Sequence, residues 1–319
     1  MCRLKIGVIS NWDRQCGNAQ YARDLIAELE KEFVVVGLPA SMDQVRQTNI
    51  DEVDVVIVNW HPSRVTLTEQ DMTWLKEKGK KVILILQNSF QESTFVDFGS
   101  MLLVVDMVVA HEEMTFMGEQ PKFRCIQHGI PEIEVPAPYE DKWIGTAGFA
   151  FPWKRFDVVA EAAKKFGARC RIISSQSDQM DTKSLLDGIA GHLGPLADMH
   201  RDWYPVQEVV QMLAECALNI FWFNSYSLED RLGQSGSVRL GLAAKRPTII
   251  STHKKFRTLL PYGDELYICL REEDVYQAVE EILAAPEKAK LPKRLLEEMG
   301  WSKTGAQYRA LVHGLQKEN

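Results

Sequence analysis

The stretch "PEIEVPAPYEDKWIGTAGFAFPWKRFDVVAEAAKKF" runs from Pro131 to Phe166. Its first part, Pro131–Lys142, carries three prolines and five charged residues and reads as a linker. "WIGTAGF" then reads as a buried strand, and Phe156–Phe166 as an amphipathic helix. A strand and helix that begin afresh behind a proline-rich break predict a second α/β unit.

Working outward, the same alternation appears on both sides. Upstream, "KIGVIS" (Lys5–Ser10), "FVVVGLP", "VDVVIVNW" (Val53–Trp60), "KVILILQN", "MVVAH" and "FRCIQHGI" (Phe123–Ile130) read as strands. A helix is expected over Asn18–Phe33, with Tyr21, Ala22, Leu25, Ile26 and Leu29 at helical spacing. Downstream, "ARCRIISS", "LNIFWF", "RPTIIST" and "LYICL" read as strands, and helices are expected at Gln207–Cys216, Asp274–Ala284 and Thr304–Leu315. Continuous apolar strands suit parallel sheets covered on both faces. Two doubly wound α/β halves follow, with ligands expected beyond the C-terminal strand ends.

The length of 319 residues fits two domains, and a net charge of −7 argues against broad nucleic-acid binding. Six scattered cysteines form no CxxC pair, which fits reduced thiols and a cytoplasmic protein. No signal peptide is visible ahead of "LKIGVIS". No transmembrane segment is visible either, since the best candidate, "MLLVVDMVVA", is short and broken by Asp106. Trp74 with Lys76, Lys78, Lys80 and Lys81 leaves a peripheral membrane contact open, though a solvated helix end explains the run more simply.

Four segments carry candidate chemistry. "SNWDRQCGNAQYARDL" (Ser10–Leu25) places Gly17 and a capping Asn18 where a helix N-terminus offers N–H groups to an anion. Lys154 and Arg155 follow a strand end, where a lysine can hold a phosphate and a solvated basic pair is the plain alternative. In "LEDRLGQSGSVRLGLAAKRPTII" (Leu228–Ile250), Gln234, Ser235, Gly236 and Ser237 precede a helix of small residues. They make either an N-cap loop or a diphosphate cradle beside Arg239. His61 ends the strand Val53–Trp60 on the expected ligand side. His128 reads as structural, and His111 is unassigned. HExxH, P-loop and GxSxG motifs are absent, and the loose pair Asp178 and Asp181 falls short of a DxD metal motif.

Taken in order, these segments resemble the GT-B glycosyltransferases of the family 4 (group 1) type, over nearly the whole chain. Gly17 with Tyr21 and Arg23, "DVVIVNWH" with His61, "IQHGIP", the Lys154 loop and "WSKTGAQYRALVHGL" carry the resemblance. It implies two Rossmann-like domains facing a cleft. Residues 1–136, completed by 301–319, form the acceptor side, and residues 137–300 the donor side. It further implies sugar transfer from a nucleotide-diphosphate-sugar donor to an acceptor hydroxyl, retaining, with no cofactor or metal. Lys154, Arg239, His61 and Glu229 are then the candidate catalytic residues. Gly17, Asn18, Lys154, Asp230, Gln234, Ser235, Gly236, Ser237 and Arg239 are the candidate donor contacts. Two departures stand out. Phe149 lies where the family carries an arginine, and Ser237, Val238 and Arg239 lie where it carries a second acid. These keep a non-catalytic protein binding a nucleotide sugar or anionic glycan as the rival. A GT-B epimerase or phosphorylase and a Rossmann oxidoreductase are further alternatives, and the last lacks a dinucleotide fingerprint.

Overall fold

The computed structural model describes every residue except 1–2, 62–63, 66, 88–94, 113–121, 136–139, 177–180, 225–233 and 318–319, and the side chains of 95–98, 140 and 141. In chain order its elements are β1 (Lys5–Ile9), α1 (Gly17–Leu29), β2 (Val34–Leu38), α2 (Met42–Val45), β3 (Val55–Trp60), α3 (Glu69–Glu77), β4 (Lys81–Leu86), α4 (Phe95–Val104), β5 (Met107–Ala110) and β6 (Phe123–Cys125). They continue as β7 (Glu140–Ala147), α5 (Phe156–Phe166), β8 (Arg169–Ile173), α6 (Lys183–Leu193), β9 (Ala197–His200), α7 (Val206–Ala214), β10 (Cys216–Phe221), α8 (Gly236–Ala243), β11 (Thr248–Ser251), β12 (Tyr267–Cys269), α9 (Glu272–Ala284), α10 (Lys293–Met299) and α11 (Trp301–Lys317).

The chain divides into two compact units. The first is built from Met1–Gly129 and Trp301–Asn319 and takes in Gln234; the second is built from Ile130–Leu228 and Ser235–Gly300. The first holds a six-stranded sheet of order β2-β1-β3-β4-β5-β6, the second one of order β12-β11-β10-β7-β8-β9. Every pairing is parallel. Burial on both faces explains the apolar runs. Along β3, Val56 and Val58 enter one core while Val55 and Ile57 enter another on the opposite face.

The last helix belongs to the first unit. Trp301, Tyr308, Val312 and Leu315 of α11 join Tyr21, Ala22, Leu25 and Leu29 of α1 in one core. The Tyr21 and Tyr308 hydroxyls share a buried hydrogen bond of 2.7 Å. Gly305 allows the close approach, because a methyl there would strike the Glu28 side chain. Arg309 reaches the same Glu28 carboxylate at 3.1 Å.

Several boundaries differ from expectation. The strand expected over Phe123–Ile130 ends at Cys125. Beyond it, the backbone is taken by later elements: Thr304 Oγ1 donates to Gln127 O, and Ile130 N–H to Met299 O. Asn18 does not cap α1: the extended Cys16 occupies the N-cap position without a side-chain capping bond, and Asn18 lies inside the first turn. The lysine run is drawn into local contacts. Lys76 pairs with Asp106 at 2.6 Å, Lys80 donates to Asp51 O, and Lys78 lies over the Trp74 ring. Among the described residues, no helix is long and apolar enough to cross a membrane.

Candidate functional site

In an open parallel sheet, two loops leave in opposite directions where the strand order reverses, and the crevice they make is the usual ligand site. In the second unit this point lies between β7 and β10. The chain leaves β7 through Gly148, at φ +115°, a conformation that suits glycine. A short 3-10 turn, Pro152–Lys154, follows. Arg155 then enters α5 from the left-handed region at φ 44°. This backbone sends the two basic side chains apart. Arg155 pairs with Asp157 at 2.7 Å and with Glu272 at 2.8 Å. Lys154 turns inward and is only 7% exposed.

The surroundings of Lys154 are aromatic. Its ammonium lies 5.5 Å from the Trp153 ring centroid, 5.6 Å from Phe223 and 5.9 Å from Phe151. No carboxylate among the described residues pairs with it. Burial, with the nearby charge of Lys255, pulls it from the usual lysine range down to about 7. Ring quadrupoles offset part of that desolvation, at about 0.5–2 kcal/mol per contact.

The first turn of α8 meets this lysine. A methyl placed on Gly148 would sit 2.6 Å from Lys154 Nζ and 2.9 Å from Ser237 Cβ, so backbone, ammonium and helix start converge at one point. Ser235 occupies the N-cap position without bonding a backbone N–H; its hydroxyl shares a 3.0 Å hydrogen bond with Ser237. The first turn carries no acid. A helix N-terminus with uncapped N–H groups and an adjoining lysine is suited to an anion.

The remaining candidates lie elsewhere. Arg239 is buried beneath α8, where it donates to Met299 Sδ at 3.5 Å and Thr258 Oγ1 at 3.3 Å. Burial pulls its guanidinium down to about 9. Gln234 groups with the first unit: its amide donates to His111 O at 2.5 Å and accepts from His128 N at 3.1 Å. Glu229 and Asp230 lie outside the described residues.

The first unit has its own switch point, between β1 and β3. Ser10, Asn11 and Asn59 are buried there at the strand ends. Asn59 donates to Ser10 Oγ at 3.1 Å and to Asn18 O at 2.9 Å, which ties β3 to the start of α1 beside Gly17. The side-chain oxygens of Asn18 and Asn59 accept no hydrogen bond among the described residues. His61 follows β3, half-buried, and its carbonyl accepts from Arg64 and Val65 in a tight turn. His111 and His128 pack with Tyr21 and Trp301 in an aromatic cluster.

Sequence reasoning missed the roles of Gly148, Phe223 and Asn59. The signals were a glycine six residues before Lys154 and a lone asparagine closing an apolar strand. Among the described residues, no group of three His, Cys, Asp or Glu side chains could hold a metal ion.

No protein-family model matches the sequence, and no curated protein matches it. Solved structures do. HepE of Anabaena, determined with UDP-glucose, matches at a TM-score of 0.74 and 11% identity, over 98% of this chain and 100% of that one. Sucrose-phosphate synthase of Thermosynechococcus elongatus matches at 0.73 and 10%, over 99% and 100%. An α-glucosyltransferase determined with UDP and a 13-mer DNA containing an HMU base matches at 0.66 and 11%, over 95% of each chain. Identities this low establish likeness of fold, and the fold of this chain is that of the GT-B glycosyltransferases.

Proposed function

We propose that this protein is a glycosyltransferase that moves a sugar from a nucleotide-diphosphate sugar to an acceptor hydroxyl, with retention and without a required metal. The observation that carries the reading is Lys154: a buried ammonium, caged by rings, lying against Gly148 and the start of α8. Supporting it is a fold shared with HepE, determined with UDP-glucose.

The demanding step is departure of the sugar from the diphosphate, where negative charge grows on the leaving oxygen. In this reading Lys154 and the N–H groups of Gly236 and Ser237 stabilise that charge from a pre-arranged position. The Ser235 and Ser237 hydroxyls add contacts to the phosphates. Arg239 contributes its charge from beneath the helix rather than by direct contact. Gly17 and Asn18 supply a second helix start, and His61 orients the transferred sugar or the acceptor.

The test is Lys154→Ala, assayed for transfer and donor hydrolysis across UDP-, GDP- and ADP-sugars, with UDP binding followed by thermal shift. The expected result is loss of transfer and of UDP-induced stabilisation, with the circular dichroism of the wild type retained. Transfer at the wild-type rate refutes the assignment.

A further inference from the structure

A second feature of the second unit is unused by that reading. A cavity of about 560 Å³ opens at the C-terminal ends of β10, β11 and β12, and Lys154 is not among its lining residues. Its volume falls within the roughly 300–1,000 Å³ of small-ligand sites. The floor is Trp222 and Phe223, both buried. Ser251 locks this floor: its hydroxyl accepts from Phe223 N–H at 3.2 Å and donates to Phe223 O at 2.9 Å.

The rim is polar and held in place. Asn224 is fixed through its backbone N–H, which donates to Trp153 O at 2.7 Å. Arg271 is held by Asp274 at 3.0 Å, and Glu272 by Arg155 at 2.8 Å. Thr252 and Glu273 complete the polar edge, and Leu270, 74% exposed, supplies one apolar surface.

This chemistry narrows the ligand. The acids Glu272, Glu273 and Asp274 in the first turn of α9 disfavour an anion. The polar lining disfavours a purely apolar molecule. A cation would find Glu272 and Asp274 already neutralised by Arg155 and Arg271, and would meet the Arg271 guanidinium on the same rim as Glu273. A neutral molecule rich in hydroxyls suits the set, since it donates to carboxylates, accepts from a guanidinium and an amide, and lays a C–H edge on Leu270.

We propose that this cavity is a binding site for a neutral mono- or disaccharide. The proposal stands apart from the donor reading, because it needs no nucleotide. Two of the cavity's lining residues also touch the surroundings of Lys154: the Phe223 ring lies 5.6 Å from the ammonium, and His253 stacks on Trp153 at 6.4 Å.

The test uses methyl α-D-glucopyranoside, methyl β-D-galactopyranoside, maltose and sucrose in saturation-transfer NMR, with wild type, Glu273→Ala and Arg271→Ala. UDP binding is measured on the same samples. The expected result is millimolar binding of at least one sugar to the wild type. Each variant should weaken it about tenfold by removing a charge-assisted hydrogen bond. UDP affinity and melting temperature should stay unchanged for Glu273→Ala. Absence of sugar binding to the wild type overturns the proposal, as does equal binding to all three proteins. Displacement of the sugar by free UDP also overturns it, because the cavity would then belong to the nucleotide. If UDP fails to bind while a sugar does, the donor reading falls and this one stands.

Discussion

Replacing Lys154 by Met keeps much of the side chain's bulk and removes its charge, so the variant isolates what burying that ammonium does to the protein. The group falls from 10.5 to about 7 on folding, because it is desolvated with Lys255 nearby. Between about pH 7 and 10.5 the unfolded chain holds a proton that the folded protein lacks, so stability rises with pH across that window. The burden is fully present below about pH 7 and gone above 10.5. At roughly 1.4 kcal/mol per pH unit it amounts to at most about 5 kcal/mol. The three ring contacts return at least about 1.5 kcal/mol of it, which leaves a net destabilisation of at most about 3.5 kcal/mol. Lys154→Met should therefore be more stable than the wild type at pH 6 by up to that amount, and the gap should narrow by pH 9. Urea unfolding at both pH values measures it, and the other titrating groups cancel in the difference between the two proteins. UDP should stabilise the wild type and leave Lys154→Met unmoved. At pH 8, UDP binding should be accompanied by proton uptake, read by calorimetry in buffers of different ionisation enthalpy. A variant less stable than wild type at pH 6, or a gap independent of pH, refutes the reasoning.

Gly148→Ala should lower stability by about 1–3 kcal/mol, because its φ is positive and its methyl would strike Lys154 and Ser237. UDP affinity should fall with it, and a thermal melt with and without UDP reads both. Tyr21→Phe and Tyr308→Phe should each cost about 1–3 kcal/mol by leaving a buried hydroxyl without its partner. The double variant should cost clearly less than the two together, and additive losses would show that the hydroxyl pair is not coupled.

The architecture was legible because its signal repeats. The central parallel strands are buried on both faces, so β3, β4 and β10 appear as apolar runs, broken within only by Asn59 in β3 and Asn219 in β10. The edge strand β9, "ADMH", is half-buried and carries no such run, and it escaped notice. The extent of β6 was misread for another reason: Gln127 and Ile130 look like strand but bond to α11 and to Met299. At the candidate site, loop positions could be read and directions could not. Lys154 and Arg155 are adjacent in sequence, yet a left-handed residue turns one to solvent carboxylates and the other into an aromatic cage. Helical spacing around α8 likewise gives no hint that Arg239 faces Met299 and Thr258.

The membership of α11 in the first unit also bears on how the molecule is made. Tyr21 and Tyr308 are 287 residues apart, and everything that builds the second unit lies between them. On a ribosome that adds about 5–20 residues per second, the second unit can complete its sheet while the first still lacks the helix that covers Leu25 and Leu29. For that interval one face of an otherwise finished parallel sheet stays open to solvent and to other chains. Removing Trp301–Lys317 would make the interval permanent, so the truncated protein should aggregate through its first unit while the second keeps its cooperative unfolding.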